Sequence, residues 1–128
     1  MRFLLDTQIM IWTAIGDPRL KPAARAIVND RANELLFSVS SIWEIAIKSA
    51  LRRRDFVYDP REIRRQFMAN GYQELPILGH HVVFVDSLPR IHKDPFDRIL
   101  IAQAMVEGIT LLTADPVIAK YPGPIRKV

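Results

Sequence analysis

The helix that opens at Asp94-Pro95-Phe96-Asp97 constrains this chain more than any other stretch. Proline is favoured at the first helical position, so Pro95 reads as N1, Asp94 as the N-cap and Asp97 as N3. Beyond it, Ile99, Leu100, Ile101, Ala102, Ala104, Met105 and Val106 make the helix apolar nearly all round. Such a helix has to be buried, and a buried helix holds its first turn rigidly. Capping accounts for Asp94 but does not require a second aspartate, which leaves Asp97 as a candidate functional residue.

Other carboxylates fall in comparable places. Arg2 to Leu5 is a short apolar run that stops at Asp6-Thr7, before a helical pattern carrying Ile9, Met10, Ile11, Trp12 and Ile15. Leu20 to Asp30 forms a second helix, and Leu35 to Val39 a strand. Ser40 and Ser41 then offer N-caps for a helix over 42–51, with Glu44 in its first turn. Taken alone, Glu44 reads equally well as an exposed i,i+4 partner of Lys48. Pro60 to Ala69 is a helix stopped at Asn70-Gly71, Tyr72 to Ile77 a third strand, and 78–88 a short helix. Ile109 to Thr113 is a strand running into Asp115-Pro116, another acid-and-proline helix start, and the tail after Pro122 forms at most an edge strand.

This alternation predicts an α/β fold, a parallel sheet with helices on both faces, within a single domain spanning 1–128. In such a sheet Asp6, Glu44, Asp97 and Asp115 converge on one edge, where they repel one another unless a cation joins them. Oxygen donors without cysteine or a histidine spacing point to Mg2+ or Mn2+ rather than zinc. The matching chemistry is metal-assisted hydrolysis of a phosphodiester, with Thr7 and Thr113 placed to position a carboxylate or a water. His80 and His81, adjacent in a helix, read as surface or packing residues, while His92, near Asp94, is the better candidate for a site role.

The absence of cysteine excludes disulfides, thiolate zinc sites and a cysteine nucleophile. An acid at position 6 disfavours a signal peptide and no apolar run reaches membrane-spanning length, so a soluble, cytoplasmic protein is expected. The net charge of +4 suits a polyanionic partner. Arg52, Arg53 and Arg54, continued by Arg61, Arg64 and Arg65, outline a basic band that would hold phosphates. No Gly-x-Ser-x-Gly, Walker or dinucleotide-binding glycine motif occurs.

Together, Leu4-Leu5-Asp6-Thr7, Ser41-Ile42-Trp43-Glu44-Ile45-Ala46-Ile47-Lys48, His92-Lys93-Asp94-Pro95-Phe96-Asp97-Arg98 and Leu111-Leu112-Thr113-Ala114-Asp115 resemble the PIN domain, in particular the VapC-type toxins of toxin-antitoxin pairs. The resemblance covers essentially the whole chain. It implies a three-layer α/β/α sandwich and a Mg2+- or Mn2+-dependent endoribonuclease acting on RNA, neutralised by a cognate antitoxin and assembled as a homodimer. Position by position, Asp6, Glu44, Asp97 and Asp115 match the family's four acids as catalytic and metal-binding residues, with Asp94 a weaker candidate metal ligand. Two alternatives accompany it: a housekeeping PIN-domain nuclease of RNA processing, and a receiver-like phosphoacceptor domain. For the antitoxin, an apolar strip including Trp12, Trp43 and Phe56 is expected, with Trp43 the one most readily explained as core.

Overall fold

Strand alternation fixes the layering. In β1 (Arg2–Leu5), Phe3 and Leu5 point to one face of the sheet and Leu4 to the other, and all three are buried. The computed structural model describes residues 1–51 and 57–128. Its further elements are α1 (Thr7–Ile15), α2 (Pro22–Asn29), β2 (Glu34–Ser38), α3 (Val39–Ala50), α4 (Pro60–Ala69), β3 (Gln73–Leu75), α5 (Gly79–Phe84), α6 (Pro95–Glu107), β4 (Thr110–Thr113) and β5 (Ile125–Lys127). Short 3-10 turns at Val85–Ser87 and Ile118–Lys120 complete them.

All four strand pairings are parallel, in the order β3-β2-β1-β4-β5. The chain builds outward from β1 to β3, then crosses back to lay β4 and β5 on the other side. The crevice between the carboxyl ends of β1 and β4 is therefore the point at which the winding reverses, where ligands bind in open α/β sheets. A receiver domain has the order 2-1-3-4-5, so the observed order removes that alternative.

Two apolar cores fill the space on either side of the sheet. Phe3, Leu5, Phe37 and Leu112 pack with Ile9, Met10 and Ile11 of α1, Ala24 of α2, Ile45 of α3 and Phe67 of α4. Leu4, Leu36 and Leu111 pack with Leu100, Ile101 and Ala104 of α6, together with Leu88 and Tyr121. The result is the α/β/α sandwich expected from the sequence, with α6 buried by the sheet beneath it as its all-round apolar sequence demands. No helix among the described residues is long and apolar enough to cross a membrane.

Several boundaries shift by a few residues, and one shift bears on the site. The helix expected from Ser40 or Ser41 begins at Val39, because Ser38 at the end of β2 is its N-cap and accepts from Ser40 N at 3.0 Å. Glu44 consequently lies in the second turn of α3, not the first.

Candidate metal centre

Asp6 is the residue immediately after β1, and two hydrogen bonds fix its carboxylate. Oδ1 accepts from Ile9 N at 2.7 Å, capping α1, and Oδ2 accepts from the hydroxyl of Thr113 at the end of β4. Thr113 Oγ1 also accepts from Asp115 N at 3.0 Å, so one threonine ties the first acid to the last. Thr7, expected in a similar role, instead donates to Ser41 Oγ and joins the starts of α1 and α3. Asp6 is thus both the cap of α1 and a carboxylate at the β1/β4 crevice.

On α6, the sequence assignment holds position by position. Asp94 is the N-cap and Oδ1 accepts from Phe96 N at 2.8 Å and Asp97 N at 3.2 Å, with Pro95 in the first turn. Asp97, one turn in, points at the same crevice. Asp115 does not repeat Asp6. It caps only a turn, accepting from Val117 N at 2.8 Å, and the helix expected after Pro116 is reduced to the 3-10 turn.

Glu44 combines the two readings that the sequence left open. Its Oε2 meets Lys48 Nζ at 2.5 Å, the expected i,i+4 pair, but the residue is only 5% exposed. Its other oxygen, Oε1, is buried with no hydrogen-bond partner among the described residues. A buried carboxylate oxygen without a donor is costly, and a cation in the cleft beside it would remove that cost.

Asp6, Glu44, Asp94, Asp97 and Asp115 all line one cleft of about 230 Å³, with Lys48 and Thr7 in its wall. Burial pushes the Asp6 carboxyl up to about 6, with the Asp115 and Glu44 charges adding to the rise and the Thr113 and Ile9 bonds opposing it. Asp97 goes up to about 7, first through burial, then through the Asp94, Glu44 and Asp6 carboxylates, with His92 opposing. These are the signs of an anionic pocket short of positive charge. Its donors are carboxylate oxygens, a set that fits Mg2+ or Mn2+.

His92, the histidine that the sequence favours for a site role, reaches two acids of this cleft. Its Nε2 lies 2.8 Å from Asp97 Oδ2 and 3.8 Å from Asp115 Oδ2. His80 and His81 meet elsewhere, on Glu107 at the end of α6. His81 is fully buried, and its Nδ1 accepts from Leu78 N at 2.9 Å, so the ring proton sits on Nε2 and is donated to Glu107 at 2.7 Å. That nitrogen has no lone pair for a metal, which makes His81 a packing latch between α5 and α6.

Other expectations fare differently. Arg64 is paired with Glu74 and Arg65 with Glu62, and the α4 arginines do not line the acidic cleft. Arg52, Arg53, Arg54 and Phe56 lie outside the described residues. Trp43, read as core, is 57% exposed and sits edge-on to Phe96 at 5.1 Å, because α3 buries the face that carries Ser41, Glu44 and Ile45. Trp12 is half-buried against the first core. Buried Gln103 was not singled out from sequence. Its Oε1 accepts from Ser38 Oγ at 2.6 Å and its Nε2 donates to Pro76 O at 3.1 Å, and a lone amide inside an otherwise apolar helix was the available signal.

Solved structures share this fold over nearly the full length. VapBC2 from Rickettsia felis, bound to a DNA fragment from its promoter, aligns with a TM-score of 0.75 and 12% identity, covering 100% of this chain and 99% of that one. DNA-bound VapBC from Salmonella typhimurium gives 0.71 and 14%, covering 99% and 98%. VapBC-5 from Mycobacterium tuberculosis, a member of the VapBC family of toxin-antitoxin systems, gives 0.61 and 16%, covering 99% and 97%. No curated protein matches the chain in sequence. The family model of the PIN domain matches residues 3–124, almost the whole chain, and the chain therefore belongs to the PIN domain family.

Proposed function

We propose that this chain is a Mg2+- or Mn2+-dependent endoribonuclease of the VapC toxin type, held in check by a cognate antitoxin. The observation that carries the reading is the cleft at the β1/β4 crevice, where five carboxylates converge and Glu44 Oε1 is buried without a partner. Support for the toxin assignment comes from the VapBC complexes that share the fold along their full length.

Asp6, Glu44, Asp97 and Asp115 would hold the cation. When bound, it supplies a Lewis acid that polarises a phosphodiester and lowers the pKa of an attacking water. The chain's own groups prepare the site. Thr113 orients Asp6 and fixes the backbone of Asp115, so the acids from β1 and β4 move as one unit. The buried middle of α6, from Leu100 to Ala104, anchors the helix whose first turn carries Asp97. Asp115, whose side chain is about a third exposed, is the most accessible of the four to solvent water. Lys48, held against Glu44, adds positive charge to the same wall.

The exposed apolar residues Trp43, Ile47 and Leu51 lie four apart along α3 and continue past its end. This stripe supports protein partners in the same reading, the antitoxin and a second copy in a homodimer.

The test is cleavage of a structured RNA pool by metal-depleted, antitoxin-free protein, with Mg2+ or Mn2+ added back and an Asp97→Asn variant purified identically. Cleavage that needs the cation and falls by about two orders of magnitude or more in the variant is expected. Equal cleavage by both proteins, or cleavage that persists in chelator, would overturn the reading.

A further inference from the structure

We propose that His92 is a nitrogen ligand of the divalent cation at this cleft and tunes the site toward Mn2+ over Mg2+. The inference rests on the cation site argued above and assigns it a donor that the carboxylate set does not contain.

The loop before α6 is built to hold this imidazole in place. His92 N donates to Tyr121 Oη at 2.7 Å. The Arg98 guanidinium, from the first turn of α6, donates to Pro89 O at 2.9 Å, Val85 O at 3.0 Å, Tyr121 Oη at 3.2 Å and His92 O at 3.4 Å. One arginine and one tyrosine thus clamp the backbone on both sides of His92. The ring itself is directed away from that clamp, toward two carboxylates.

The three donors lie close enough together to converge on one ion. Around an ion with bonds of about 2.1 Å, neighbouring donor atoms of an octahedron lie about 3 Å apart and opposite ones about 4.2 Å apart. Without a cation, His92 Nε2 is in hydrogen-bond contact with Asp97 Oδ2 at 2.8 Å, and ligation would put the cation in place of the Nε2 proton and leave the imidazole proton on Nδ1. Asp115 Oδ2, at 3.8 Å, lies between the neighbouring and opposite spacings, and one donor atom from each of the three residues falls within 4.8 Å of the others. An independent sign of a missing positive ligand is Glu44, which lines the same cleft and whose Oε1 is buried with no hydrogen-bond partner among the described residues.

Imidazole nitrogen is a softer donor than carboxylate oxygen and adds little to the binding of Mg2+, which prefers oxygen and retains its waters. First-row transition ions gain more from it, and Mn2+ is the member of that series that also accepts a carboxylate-rich shell. If His92 acted only as a hydrogen-bond donor that steadies Asp97, its removal would weaken both cations alike.

The experiment uses metal-depleted full-length protein, with Mn2+ binding followed by electron paramagnetic resonance and Mg2+ binding by competition. Wild type and His92→Gln are compared, with their melting temperatures in chelator establishing that both are folded. The expected result is that wild type prefers Mn2+ by roughly tenfold or more, and that His92→Gln loses most of that preference while its Mg2+ affinity is retained. Electron spin echo modulation from a coordinated imidazole nitrogen should be present on Mn2+ in wild type and absent in the variant. Tightly bound Mn2+ without nitrogen modulation, or an equal loss of both cations in the variant, would remove His92 from the site and leave the carboxylate centre standing. Failure of wild type to bind either cation would overturn both.

Discussion

Asp6 shows how a single residue can serve the fold and still oppose it. As a cap it stabilises α1 through Ile9 N, yet as a buried acid with a carboxyl near 6 it holds a proton in the native state that the unfolded chain, titrating near 3.8, has already released. Between about pH 4 and 6 the native state therefore binds more protons, so the metal-free protein loses stability as pH rises through that window. The full difference is of the order of 3 kcal/mol by pH 7.5. Asp97 acts in the same direction, over a window reaching about 7. Asp6→Asn keeps an oxygen for the Ile9 cap and removes the charge, whereas Asp6→Ala would also lose the cap, at about 1 kcal/mol. In chelator at pH 7.5, urea unfolding should show Asp6→Asn more stable than wild type, with the gap closing toward pH 4. A variant less stable than wild type at pH 7.5 would mean that the carboxylate is not under strain.

The elements that carry the acids were legible because each is announced locally. An apolar run that stops at Asp6 reads as a strand end, and Asp94-Pro95 ahead of a long apolar stretch reads as a helix start, so β1, α6 and their acids follow from the chain itself. The start of α3 was not legible in the same way. Ser38-Val39-Ser40-Ser41 offers three capping hydroxyls, and β-branched Val39 reads as strand until the register of β2 against β1 and β3 shows where pairing ends. Asp115-Pro116 signals a helix start in the same way, but the chain after it continues only as the short 3-10 turn Ile118–Lys120. The pairing of His92 with Asp97 depends on how Arg98 and Tyr121 fold the loop, and the exposure of Trp43 on which face of α3 meets the sheet; neither is a local property. Gln103 joins three elements, linking the end of β2 with α6 and the segment after β3. Gln103→Leu should leave Ser38 Oγ and Pro76 O without their buried partner and cost about 1–3 kcal/mol in denaturant unfolding. A cost below about 0.5 kcal/mol would show that the network contributes nothing to holding α3 and α6 together.

Across the molecule, the winding of the sheet explains why the acids meet. The order β3-β2-β1-β4-β5 reverses between β1 and β4, so Asp6 and Asp115 flank the crevice, while Glu44 enters from α3 on one side and Asp97 from α6 on the other. Two apolar cores lock those helices to opposite faces of the same sheet, and the rigidity that fixes the cleft is supplied by packing far from it. A fold that concentrates this much negative charge around an unpaired buried oxygen is incomplete without a cation, and that is the central claim to test. Crystals of the full chain soaked in Mn2+ and measured at the manganese absorption edge should give an anomalous peak in the cleft bounded by Asp6, Glu44, Asp97 and Asp115. No peak there, in a crystal whose cleft is open to solvent, would contradict it.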